Sequence, residues 1–341
     1  MAVINNLPDF DSLPPVEGMP HGCAWGVFDS DGKKDHLGCL NLLTPSAVRE
    51  ACKEARDGVS ISLNAPLDTV RIALNRKALT HKIINWNEKA NFSALDDDIE
   101  FNTQCSTQWD SLLHYYHQPS GMGYNGNAPS KEQLEQPTLL YDQEKKLPTL
   151  DHWHDRGGIV GRGVLLDYRQ YARAKGIRYQ VFSDHTITTH DLEAIATYQG
   201  VQLKHGDILI IRSGYTEDLM NMTAEEQLQE MMATGGQIGV EGNLDSAKWF
   251  WNKHFSAVAG DMMAFEVYPP KKEDGTPGDA SNLVLQPYFL SMFGLNIGEL
   301  WNLKALGEHC TRTKRYSFLL TSIPLNIPGL VGSPANALAI F

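Results

Sequence analysis

Three apolar runs, Gly158-Ile-Val-Gly-Arg-Gly-Val-Leu-Leu-Asp167, Ile208-Leu-Ile-Ile-Arg-Ser-Gly214 and Ser256-Ala-Val-Ala-Gly-Asp261, alternate with segments that carry helix signals. A strand that is apolar at nearly every position is buried on both faces, so each run reads as an inner strand of a covered sheet. A helix is expected over Tyr168 to Lys175. Thr188-Thr-His-Asp191 has capping-box spacing and opens a second helix that ends at Gly200. Thr223 caps another, and Asp245 to His254 continues the series. Upstream, Thr44-Pro45 places an N-cap before proline at the first helical position, followed by an alternating strand at Val59 to Leu63. Downstream, Gln286 to Phe293 reads as helical and Tyr316 to Ile323 as a final strand. Strands alternating with helices imply an α/β fold.

Residues 1–44 are rich in Pro, Gly and Asp and read as an N-terminal arm. Residues 45–341 read as one domain. Within it, 118–157 is a long polar stretch without periodicity, expected to act as a lid over whatever the preceding residues bind.

The 341 residues suffice for a substantial core, and 42% hydrophobic against 21% charged is an ordinary globular balance. A net charge of −12 without clustered Lys and Arg argues against a nucleic-acid partner. No apolar run is long enough to span a bilayer, and no secretory signal is visible at the N-terminus. The five cysteines (Cys23, Cys39, Cys52, Cys105, Cys310) are scattered, which suits free thiols in a reducing interior. The expectation is a cytoplasmic protein with no membrane partner.

Chemistry concentrates in Gln104-Cys-Ser-Thr-Gln108-Trp-Asp110-Ser-Leu-Leu-His114, where Gln104, Gln108, Asp110 and His114 recur at even spacing. Alone, an Asp and a His four apart are more often a structural hydrogen bond than a catalytic pair. Trp109, Tyr115, Tyr116, His117 and Tyr124 add aromatic and titratable groups, as a small-molecule pocket requires. Arg212 and Ser213 end a buried strand, where ligand groups collect in α/β sheets. Asp261 and Glu266 are further candidates. Asp151-His-Trp-His-Asp155 has metal-like composition in a polar loop.

The stretch resembles the signature of the cyclase family that includes bacterial kynurenine formamidase and isatin hydrolase, His-x-Gly-Thr-His-x-Asp-x-Pro-x-His. On that pattern the first and second histidines fall at Gln104 and Gln108, the aspartate at Asp110 and the last histidine at His114. Trp25-Gly26, Leu40-Asn-Leu-Leu-Thr44-Pro45, Gly206-Asp207 through Gly214, Gly260-Asp261, Ala264-Phe265-Glu266 and Ile297-Gly-Glu299 are similar to family segments as well. A downstream family histidine corresponds to Gln286, and the family's glutamate to Glu299. The resemblance implies the family's swivelling β/β/α arrangement around a central mixed sheet, and a homodimer or larger homo-oligomer.

Three imidazoles of the family's metal site are thus amides here. An amide oxygen is a weak ligand for Zn²⁺ or Mn²⁺. Loss of the metal removes a Lewis acid and a source of hydroxide, and leaves Asp110, His114 and Glu299 to move protons. The expected function is metal-independent cyclisation, elimination or isomerisation of an oxygenated secondary metabolite, without cofactor. His114 would serve as base, Asp110 as its partner and Glu299 as acid. Gln104, Gln108 and Gln286 would hold the substrate's oxygens, and Trp109, Tyr124, Arg212, Ser213 and Phe265 would line the pocket. Two alternatives stand beside it: a hydrolase of an amide or lactone using Mn, Zn or Mg, and a former enzyme that only binds its ligand.

Overall fold

The computed structural model describes residues 6–72, 76–136, 146–272 and 274–341. In chain order its strands are β1 (Ser60–Ser62), β2 (Thr80–Asn85), β3 (Leu95–Glu100), β4 (Gln108–Asp110), β5 (Ile159–Asp167), β6 (Thr186–Ile187), β7 (Ile208–Arg212), β8 (Gly239–Val240), β9 (Ala257–Gly260), β10 (Asn296–Glu299), β11 (Ser317–Ser322), β12 (Gly332–Pro334) and β13 (Ala337–Ile340). Nine form one curled mixed sheet in the order β1-β13-β11-β5-β7-β9-β10-β4-β12. The centre, β5-β7-β9-β10, is parallel, and antiparallel strands complete it on both sides. Two small pairs, β2–β3 and β6–β8, stand apart from it.

The three apolar runs are β5, β7 and β9, and their neighbours explain their composition. Along β7, Ile208 and Ile210 enter one hydrophobic cluster with Trp109, Trp301 and Phe318. Leu209 and Ile211 enter another with Leu166, Val258, Phe250 and Phe289. Each face of the sheet is therefore covered, and no polar alternation is needed.

The connecting helices form where their caps stand. Tyr168–Lys175 runs from Asp167, whose carboxylate accepts from the Gln170 amide, to left-handed Gly176. Thr188 and Thr223 close full capping boxes on Thr189–Gln199 and Ala224–Thr234. Asn243 caps Leu244–Asn252. Pro287–Phe293 differs from an ordinary α-helix: it is wound as a π-helix starting at Gln286 and ending at left-handed Gly294. No helix among the described residues is long and apolar enough to cross a membrane.

The N-terminal residues pack closely against the rest of the chain. Leu7, Phe10, Leu13 and Cys23 are buried in one cluster, and Leu40 and Leu43 in the other. Cys39 donates its amide to the Gly294 carbonyl at 2.7 Å, and a Cβ on Gly38 would stand 2.0 Å from that oxygen. Of the 118–157 stretch, Tyr124, Asn125, Leu150 and Trp153 are buried. Its middle, residues 137–145, lies outside the described residues.

Candidate active site

Strand β4 is buried throughout and lies between β10 and β12. Its register sets Gln108 opposite Glu299 and Asp110 opposite Ile297, so Gln108, Asp110 and Glu299 leave the sheet on the same face. Gln104 approaches from the turn before the strand. That turn is braced by Thr107, whose hydroxyl donates to the Leu300 carbonyl at 2.6 Å, and by Ser106, which donates to the Pro66 carbonyl at 2.7 Å.

The amides and carboxylates form one continuous chain of hydrogen bonds. Gln104 Nε2 donates to Asp110 Oδ1 at 2.6 Å. Gln108 Nε2 donates both protons, to Gln104 Oε1 at 2.7 Å and to Glu299 Oε2 at 2.9 Å. Gln286 Nε2 donates to Glu299 Oε1 at 2.8 Å and to the Ala264 carbonyl at 3.3 Å. All five side chains are buried. His114 sits at the more open end, with 24% of its side chain exposed and Nδ1 3.7 Å from Asp110 Oδ1, beyond direct hydrogen bonding.

This geometry alters the part the glutamines play. Their N–H groups were expected to hold a substrate's oxygens, yet those of Gln108 and Gln286 are committed to protein acceptors. What remains is acceptor capacity: Gln108 Oε1, Gln286 Oε1 and Asp110 Oδ2 are buried without a hydrogen-bond partner among the described residues. Buried polar atoms are ordinarily paired, and each orphan costs of the order of 1–3 kcal/mol, so the site calls for a donor from outside.

Both carboxyls are held above the ordinary carboxylate range. Burial raises Asp110, opposed by the His114 charge and the Gln104 hydrogen bond. Burial raises Glu299 well above that range and the neighbouring Asp110 charge adds to it, while the two amide donors pull it back.

The donor set does not fit the transition-metal ion that the family signature implies. Both oxygens of Glu299 already accept N–H groups from Gln108 and Gln286, and the amide oxygens that remain are weak ligands for such an ion. The Asp151–Asp155 segment is no substitute. It forms a short helix in which His154 Nε2 donates to the Pro324 carbonyl, and no group of three His, Cys, Asp or Glu arranged to hold a metal occurs among the described residues.

The remaining expected lining residues lie elsewhere. Trp109 points to the opposite face of the sheet, edge-on to Trp153 and Trp301, with its indole donating to Ser322 Oγ at 2.8 Å. The strand's alternation puts it in the core, because its neighbours Gln108 and Asp110 take the site face. Tyr124 is fully buried and donates to Asp35 Oδ2. Arg212 is locked between Asp167 and Glu217 at 2.8 Å each and lines a cleft of about 1160 Å³ to which none of the amide residues contributes. Ser213 gives its amide and hydroxyl to Asp261 Oδ1, both at 2.7 Å. Phe265 packs between Phe250 and Phe289.

Phe265 nevertheless matters to the site through its backbone. Its φ of +57° is a left-handed conformation rare for a bulky residue, and it immediately precedes Glu266. The fully buried Glu266 carboxylate accepts from the Val284 and Gln286 amides, both at 2.9 Å, and so fixes the start of the π-helix that delivers Gln286. Asn296, not singled out from the sequence, donates to the Asp110 carbonyl at 2.9 Å. No local motif announces it, since its role depends on the register between β10 and β4.

The structure has relatives among solved proteins. A novel cyclase superimposes with a TM-score of 0.76 at 28% identity, covering 94% of this chain and 99% of that one. Isatin hydrolase A from Labrenzia aggregata, bound to benzyl benzoate, shares the fold at a TM-score of 0.53 and 15% identity, over 86% of this chain and 97% of that one. Isatin hydrolase A from Ralstonia solanacearum does so at 0.53 and 14%, over 87% and 97%. No curated protein matches the chain. Residues 60–267 match the Cyclase family model, described as "Putative cyclase", and they include β4, the amide pair Gln104 and Gln108, and Glu266. The chain belongs to the cyclase family.

Proposed function

We propose that this cyclase-family enzyme carries out a ring closure, elimination or isomerisation of a small oxygenated molecule by proton transfer, with no metal in the chemistry. The observation that carries the reading is the unbroken amide chain from Asp110 through Gln104 and Gln108 to Glu299 and Gln286, at the positions where the resemblance would put the family's metal ligands. In this reading His114, the most accessible member, removes a proton from the substrate. Asp110 stabilises the imidazolium that results. Glu299, whose carboxyl burial and the neighbouring Asp110 charge push well above the ordinary range, is the acid of this reading and returns a proton to the oxygen where negative charge develops. The substrate presents hydroxyl or N–H groups, which fill the unpartnered oxygens of Gln108 and Gln286.

Those same oxygens support a second reading. With Asp110 Oδ2 they are hard donors, of the kind that suits Mg²⁺ or Ca²⁺ in a hydrolase. Protein purified without chelator separates the two by elemental analysis and by turnover before and after EDTA. The proton-transfer reading expects no stoichiometric metal, EDTA-resistant turnover, and a loss of about 10²–10⁴-fold in kcat for His114→Ala. Full turnover in both His114→Ala and Asp110→Asn would sink it.

A further inference from the structure

A cavity of about 350 Å³ lies where residues 28–41 of the arm meet residues 146–156, and none of the amide-site residues lines it. Lys33, Lys34, Lys146 and Arg156 stand there against the carboxylates of Asp35 and Asp155, a local reversal in a chain of net charge −12. The carboxylates are already engaged. Asp35 accepts the Leu37 and Gly38 amides, Asn41 Nδ2 and the Tyr124 hydroxyl, and Asp155 accepts from Lys146 at 3.2 Å. Most of the cations meet only neutral groups. Lys34 donates to the Asn125 carbonyl at 2.7 Å, and the Arg156 guanidinium donates to the carbonyls of Gly158, Leu40 and Leu43. Lys33 has no ion-pair partner among the described residues.

Two imidazoles line the same cavity, with ring centroids 5.8 Å apart. The His152 side chain is only 8% exposed, and its nitrogens lie 3.9 Å from Asp151 and 3.6 Å from Asp155, beyond hydrogen bonding. His36 Nδ1 is buried with no hydrogen-bond partner among the described residues. Buried polar nitrogens are ordinarily paired, so the cavity lacks a group that would accept from them. The surroundings hold His36 down at about 4: burial acts first, the His152 and Lys146 charges add to it, Asp29 opposes, and Lys34 adds least. Burial lowers the Arg156 guanidinium as well. An anion in the cavity would relieve both.

Ammonium and imidazole donors brought together from separate segments suit a compact oxyanion with several acceptor oxygens better than a single planar carboxylate. The volume, at the small end for ligand sites, admits such a group with a short substituent. We propose that this cavity binds a phosphate group, free or carried by a small molecule, with Lys33, Lys146 and the imidazoles of His36 and His152 as its donors. The assignment is independent of the reaction at the amide chain.

Isothermal titration calorimetry on the full chain in phosphate-free buffer tests the proposal, with inorganic phosphate, glycerol 3-phosphate and acetate as probes. The wild type is expected to bind either phosphate compound saturably at millimolar concentration or below, one per chain, and acetate without saturation. Equal affinities would assign the free ion, and a tighter glycerol 3-phosphate the esterified group. The double variant Lys33→Gln, Lys146→Gln should bind at least about tenfold more weakly, with an unchanged circular dichroism spectrum. Should it misfold, Lys33→Gln alone, at an exposed position, decides by a several-fold loss. His114→Ala should bind phosphate as the wild type does. Absence of saturable phosphate binding, unchanged affinity in the folded lysine variant, acetate bound as tightly as phosphate, or loss of binding in His114→Ala would overturn the assignment.

Discussion

Glu266 is a side chain whose chemistry is set by where its neighbours leave room. A Cβ on Gly242 would lie 2.3 Å from Glu266 Oε2, so only glycine there admits the carboxylate. Once enclosed, the group is pushed up to about 7, because burial outweighs the amide hydrogen bonds from Val284, Gln286 and Leu285. The consequence for stability has a definite sign. A carboxyl with a folded pKa above its unfolded value binds its proton more tightly in the native state. Its contribution is complete below about 4.5 and is lost as pH rises through about 7. Urea unfolding across that interval should show the wild type losing roughly 3 kcal/mol more than Glu266→Gln, which has no proton to release. Parallel curves for the two proteins would place the titration elsewhere. The sequence marked Glu266 only as a candidate, since its burial depends on Gly242 and on the left-handed turn at Phe265.

Elements with local signals formed where those signals stood. Thr44, Thr188 and Thr223 all accept the backbone amides expected of N-caps, and β5, β7 and β9 coincide with the apolar runs. The ribbon β2–β3 and the short β4, β10 and β12 were not anticipated, because they are defined by pairing rather than by composition. Pairing also decides the site: strand alternation sets Gln108 and Asp110 on one face, but only the β4–β10 register brings Glu299 opposite Gln108. Gly298, in the middle of β10, faces Trp109. A Cβ there would stand 2.6 Å from Trp301 Nε1 and 2.8 Å from the Ala259 Cβ. Trp301 Nε1 in turn donates to the Gln108 carbonyl at 3.1 Å. Gly298→Ala should therefore cost about 1–3 kcal/mol by overpacking, read from the urea midpoint at constant slope. A change within about 0.5 kcal/mol would mean that the tryptophan gives way freely.

At the scale of the molecule, the candidate site is assembled from three distant parts of the chain: the turn and strand at 104–110, the π-helix start at Gln286 and the end of β10 at Glu299. The likeness of this chain to the cyclase signature brought those positions together before any fold was drawn, whereas composition and periodicity could not have linked Gln286 to Gln104. The limit of that legibility was orientation: no spacing tells which way an amide faces, and the structure turns the nitrogens of Gln108 and Gln286 towards Glu299. If the amides replaced imidazoles on an otherwise unchanged framework, the framework should accept the imidazoles back. The triple variant Gln104→His, Gln108→His, Gln286→His would supply nitrogen lone pairs beside Asp110 and Glu299, a set suited to Zn²⁺ or Mn²⁺. It should copurify with close to one such ion per chain and gain thermal stability when the ion is added, because a ligand that binds only the folded state stabilises it by mass action. The wild type, measured alongside, should show neither effect. Failure of the folded triple variant to take up metal would mean that the carboxylates or the backbone around Gln286 have shifted since the exchange, and that the amide chain is a site of its own design.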